Sequence, residues 1–70
     1  MAAQQFMTID DVLRLLERRC NEAGGQAAFA SEHGLTKAYV SQVLLRQRPP
    51  SERLCVALGI REAGMRWIRT

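Results

Sequence analysis

Gln26-Ala27-Ala28-Phe29-Ala30-Ser31-Glu32-His33-Gly34-Leu35-Thr36-Lys37-Ala38-Tyr39-Val40-Ser41-Gln42-Val43-Leu44 is the stretch on which the fold turns. Its first eight residues suit a short, closely packing helix, because Ala27 and Ala30 are small enough to let another helix approach. Gly34 is a natural stop, since glycine accepts the left-handed conformation that ends helices. One residue later Thr36 reads as the N-cap of the next helix, with Leu35 and Val40 placed as a hydrophobic staple across it. Val40, Val43 and Leu44 then recur on one stripe, while Lys37, Ala38, Ser41 and Gln42 fall outside it. The pattern predicts a helix over about 37–45 with a buried apolar side and a polar outer side. A three-residue turn containing glycine makes two such helices cross steeply.

Working outward, residues 1–6 read as a loose tail. Thr8 is the expected cap of a helix over about 9–22, with Asp10 and Asp11 at its electropositive start and Met7 and Val12 as its staple. Ile9, Val12, Leu13, Leu16 and Cys20 supply its inward face, and Gly24-Gly25 stops it. On the other side Pro49-Pro50 forbids helix continuation. Ser51 then caps a fourth helix, with Leu54, Cys55 and Leu58 inward and Gly59 as its stop. Beyond Gly59, Met65, Trp67 and Arg69 alternate with Arg66, Ile68 and Thr70. That alternation permits a short strand as readily as a helical turn. The expected fold is therefore all-α: a compact four- to five-helix bundle around a central helix-turn-helix at about 26–45, with the 60–70 tail open between strand and helix.

Seventy residues make one domain, and 47% hydrophobic residues suffice for one core. The net charge is +3, a balance that suits a polyanionic partner without proving one. Its distribution says more: no acid lies between Glu32 and Glu52, a window that carries Lys37, Arg46 and Arg48. Cys20 and Cys55 stand apart with no CxxC partner, so they are expected to be small buried residues rather than metal ligands or a disulfide. No basic region followed by an apolar run marks the N-terminus, and no apolar stretch approaches the roughly 20 residues a membrane span needs. His33 has no second ligand or nucleophile at useful spacing. Neither a glycine-rich phosphate loop nor a Ser/His/Asp set occurs, so no enzyme, cofactor, metal or small-molecule substrate is expected.

With these residues in view, the chain resembles the Cro and phage-repressor type of helix-turn-helix proteins. The likeness covers roughly residues 25–59. It rests on Gln26 through Ala30, Gly34-Leu35-Thr36, Tyr39 through Leu44, Pro50-Ser51 and Ala57-Leu58-Gly59-Ile60. The resemblance implies four or five helices, dimers on operator DNA, and repression of transcription. It implies that Gln26 hydrogen-bonds a phosphate and that Lys37, Ala38 and Gln42 meet base edges. Ser41 is a secondary base contact, and Thr36 and Tyr39 are further phosphate candidates. Side-chain chemistry agrees: lysine donates to guanine, glutamine pairs with adenine, and an alanine methyl touches a thymine methyl. Arg46 and Arg48 lie just past the helix, where they would reach phosphates and set register.

One position departs from the family. Glycine is frequent there where this chain has Arg46, and an arginine in a left-handed turn costs about 1 kcal/mol, unless the helix ends differently. Tyr39 is open between packing on the second helix and offering its hydroxyl to a phosphate. Met65, Trp67 and Ile68 are open between burial on the chain's own helices and a dimer contact, with the dimer favoured because one such monomer has few DNA contacts. The expected function is a DNA-binding repressor acting as a homodimer on a palindromic operator, in the cytoplasm of a bacterial or phage-infected cell and associated with the nucleoid. The alternative is a protein-interaction module, such as an antitoxin or anti-repressor, on the same fold. A hydrophobic outer face on the 37–45 helix would favour that alternative, and only Ala38 and Leu45 lean that way.

Overall fold

A computed structural model describes residues 6–70. The elements in chain order are β1 (Phe6–Met7), α1 (Ile9–Ala23), α2 (Gln26–Glu32), α3 (Lys37–Leu44), α4 (Glu52–Leu58), β2 (Ile60–Ala63) and β3 (Arg66–Arg69). The strands form one antiparallel sheet in the order β1-β3-β2. The architecture is thus four helices with a three-stranded sheet, which corrects the all-α expectation. Most of the N-terminal tail expected over 1–6 lies outside the described residues, but Phe6 belongs to a strand.

Each helix begins as the sequence anticipates. Thr8 caps α1, and the cap is reciprocal: Asp11 N–H donates to the Thr8 hydroxyl at 3.3 Å while Thr8 N–H donates to the Asp11 carboxylate at 3.0 Å. Two otherwise orphaned donors are satisfied together. Thr36 accepts from Tyr39 N–H at 3.0 Å to start α3, and Ser51 accepts from Leu54 N–H at 3.2 Å to start α4.

The turn between α2 and α3 is closed by two backbone bonds, Leu35 N–H to the Ala30 carbonyl at 2.8 Å and Gly34 N–H to that of Ser31 at 3.5 Å. Gly34 sits at φ 68 between them. This is the paired closure that a left-handed residue just past a helix end produces. Helix α3 ends in the same way, with Gln47 N–H on the Gln42 carbonyl at 2.8 Å and Arg46 N–H on that of Val43 at 3.0 Å. Arg46 takes the left-handed place at φ 62, the one non-glycine residue with positive φ among those described. The left-handed turn expected at the end of this helix is present, with arginine in it.

After Gly59 the chain alternates in and out with period two, and period two is a strand pattern. Gly64 and Met65 form a two-residue connection that pairs Ala63 with Arg66. Gly64 carries φ 71 at the first central position, where the tight hairpin turns that match strand twist call for glycine. Strand β3 then pairs with β1 on its other side, Phe6 opposite Ile68 and Met7 opposite Trp67. The tail forms a hairpin, and that hairpin captures the chain's own N-terminal segment.

One core draws on every helix and on the sheet: Val12 and Leu16 from α1, Phe29 from α2, Val40 and Val43 from α3, Leu54 from α4, and Ile60 from β2 are all almost fully buried. Met7 and Val12, the expected staple, are both in it, as are Cys20 and Cys55, which are free thiols. On α2 the close-packing residue is Ala30, at 1% exposure, whereas Ala27 faces solvent. Phe29→Ala would cost about 3–5 kcal/mol through lost transfer energy and the cavity left behind.

Candidate nucleic-acid interface

Burying Val40 and Val43 decides what α3 presents to solvent. With 3.6 residues per turn, Ala38, Ser41, Gln42 and Leu45 lie on the side opposite those valines, and Lys37 flanks them at the start. Lys37 and Ala38 are exposed, Ser41 and Gln42 half-buried. The structure thus brings the four expected base contacts onto one face. Leu45 extends the same face by one turn at 64% exposure.

The expected phosphate contacts separate. Thr36 uses an oxygen lone pair for its cap and keeps its hydroxyl hydrogen for an outside acceptor. Arg48 is exposed just past the helix. Gln26, half-buried at the start of α2, shares with Arg46 a polar groove between α1 and the end of α3. Arg46 itself is ion-paired with Asp10 on α1.

Tyr39 takes a third course beyond the two the sequence left open. Its hydroxyl donates to the Pro49 carbonyl at 3.1 Å and accepts from Ser51 N–H at 2.7 Å. A phosphate has no proton to give, so Tyr39 could serve one only by releasing Pro49. Its work is to tie the Pro49-Pro50 loop, and with it neighbouring Arg48, to α3. From the other side Arg53 donates to the Gly34 carbonyl at 3.2 Å and clamps the α2–α3 turn. Neither brace has a local sequence signal, because each joins residues ten or more positions apart. His33 lies against Phe29, ring centroids 4.6 Å apart, and completes the end of α2.

The three tail residues expected at a dimer contact differ in exposure. Met65, at the hairpin tip, is 94% exposed and Ile68 only 2%. Trp67 is half-buried against the core, with its indole N–H buried beside the Cys55 thiol. Burial first, then the Glu62 charge, pushes the Cys55 thiol above its ordinary range. Burial likewise raises the Cys20 thiol. Phe6, half-exposed on the sheet, is covered by the Arg66 guanidinium 5.2 Å from its ring centre. Among the described residues no group of three His, Cys, Asp or Glu side chains is placed to hold a metal ion. None of their helices is long and apolar enough to cross a membrane.

No protein-family model matches the chain, and no curated protein or solved structure does either.

Proposed function

We propose that the chain binds double-stranded DNA in a sequence-specific way, with α3 entering the major groove. It acts as a Cro-like or phage-type transcriptional repressor in the bacterial cytoplasm. The observation that carries this reading is the outer face of α3: Lys37, Ala38, Ser41 and Gln42 together on a helix whose opposite side buries Val40 and Val43. A helix of this width fits the roughly 12 Å major groove, where base edges display distinct donors and acceptors. Arg48 beside it and the acid-free window from 33 to 51 favour the approach of phosphates. The braces from Tyr39 and Arg53 support it further, since a reading helix has to be held rigidly to discriminate bases.

The proposed unit is a homodimer on a palindromic operator. Strand β3 has both edges occupied by β1 and β2, so two tails cannot join through it. The outer edge of β2 is a poor substitute. A two-fold axis normal to the sheet would set Arg61 against its own copy, or Glu62 against its own, and like charges directly opposite destabilise a pair. Side-chain packing around Met65 is the route that fits.

Titration of a fluorescent duplex at rising salt tests the reading. Binding should weaken with a log–log slope of about −0.9 per phosphate neutralised, and Arg48→Ala should flatten it by about one unit. Salt-independent binding, or none, overturns it. Exposure of Leu45 in line with Ala38 favours the second reading, a protein-interaction module. A chain that ignores DNA yet loses a protein partner on Leu45→Glu would establish that one.

A further inference from the structure

Asp10 and Arg46 are separated by 36 positions in sequence and meet as an ion pair between the first turn of α1 and the left-handed exit of α3. Asp10 is not the capping acid. The reciprocal cap of α1 is made by Asp11, so the Asp10 carboxylate is left to engage Arg46. Both side chains stay more than half exposed, at 54% and 57%. Exposed pairs of this kind are weak, screened by salt, and exchange partners readily.

The pair lines the polar groove that also holds Gln26, and Arg14 and Glu17 lie along the same groove one and two helical turns beyond Asp10. Acids are thus placed where a DNA-binding reading calls for phosphates. A guanidinium offers the same N–H fork to a carboxylate as to a phosphate, so the two compete for one donor set.

Resting on the DNA-binding reading, we propose that Asp10 is a specificity-determining competitor. It holds Arg46 on α1 in the free chain and surrenders it only when a duplex docks, which suppresses sequence-independent affinity. An arginine already neutralised by a carboxylate releases less bound salt when it meets a phosphate, and the freed Asp10 charge then faces the DNA. The wild-type salt slope therefore understates the number of cations at the interface.

The experiment is a fluorescence anisotropy titration of the full chain against a mixed-sequence duplex. It compares wild type, Asp10→Asn, Arg46→Ala and the double variant at about 50 and 200 mM salt. Asp10→Asn should bind roughly three- to tenfold tighter at the lower salt, with a slope steeper by about 0.9. Arg46→Ala should weaken wild-type binding by less than it weakens Asp10→Asn, and in the double variant the gain should vanish. Circular dichroism melts verify that each variant is folded, as exposed positions allow. An unchanged Asp10→Asn affinity overturns the proposal. So does a gain that survives Arg46→Ala, because the acid would then merely repel phosphates, or an Arg46→Ala loss in wild type as large as in the Asp10→Asn background. A folded wild type that binds no duplex defeats the DNA-binding reading and takes this proposal with it, whereas wild-type binding with Asp10→Asn unchanged defeats this proposal alone.

Discussion

Tyr39 on α3 donates its hydroxyl hydrogen to the carbonyl of Pro49, 3.1 Å away and ten residues later in the chain. The same oxygen accepts from Ser51 N–H, so a single phenol closes the loop that carries Arg48. Tyr39→Phe keeps the ring in place and removes both bonds, stranding a part-buried N–H. The expected loss is about 1–3 kcal/mol. For a domain of this size each kcal/mol lowers the melting temperature by about 4–8 °C, and a thermal melt reads it. An unshifted melt would mean that the loop is held by its prolines alone.

The cap of α1 predicts an acid dependence. The Asp11 carboxyl is held below the ordinary 3.8 of aspartate, chiefly by the Thr8 backbone N–H and then by the Thr8 hydroxyl. A group whose pKa falls on folding adds stability above its unfolded value, and that stability is lost as pH drops through the folded value. Melting temperatures measured from neutral pH downward should fall below about pH 4. In Asp11→Asn the fall should be shallower, from a lower neutral starting point. Equal acid profiles for the two proteins would remove the cap from the account.

Much of this architecture is legible in local sequence, for a physical reason. Helix ends are decided within four residues, and Thr8, Gly34, Thr36, Ser51 and Gly59 each act on backbone groups of their immediate neighbours. The face of α3 follows from Val40 and Val43 in the same way. What escaped is non-local. Phe6–Met7 is too short to announce a strand and becomes one only because β3 offers an open edge. The alternation of Met65, Trp67 and Arg69 with their neighbours fits a helical turn as well as a strand, and pairing with β1 and β2 decides between them. Trp67 and Ile68 stay open between burial and a dimer contact in sequence, because their apolar character is visible there and the packing that buries Ile68 and half-buries Trp67 is not. The Asp10–Arg46 pair is invisible for the same reason: each residue alone reads as an ordinary exposed charge.

Exposure of Met65 makes it a cleaner probe of assembly than Trp67, whose loss would also damage the core. Met65→Ser should leave the melting temperature within about 0.5 kcal/mol equivalent of wild type, weaken self-association, and lower affinity for a two-half-site duplex together with it. Sedimentation at micromolar concentration measures the first effect and anisotropy the second. A wild type that is monomeric under those conditions, or a variant that dimerises equally well, removes the proposed packing around the hairpin tip.

The central claim is that the outer face of α3 reads base sequence. Selection of bound DNA from a random duplex pool, run in parallel with wild type and Gln42→Ala, tests it most directly. The account predicts a palindromic consensus for wild type, with half-sites about one helical turn apart. It also predicts relaxed preference at one or two adjacent base pairs for Gln42→Ala, a loss on the order of 1–3 kcal/mol there. A pool that wild type leaves unenriched, or a Gln42→Ala consensus identical to that of wild type, would contradict it.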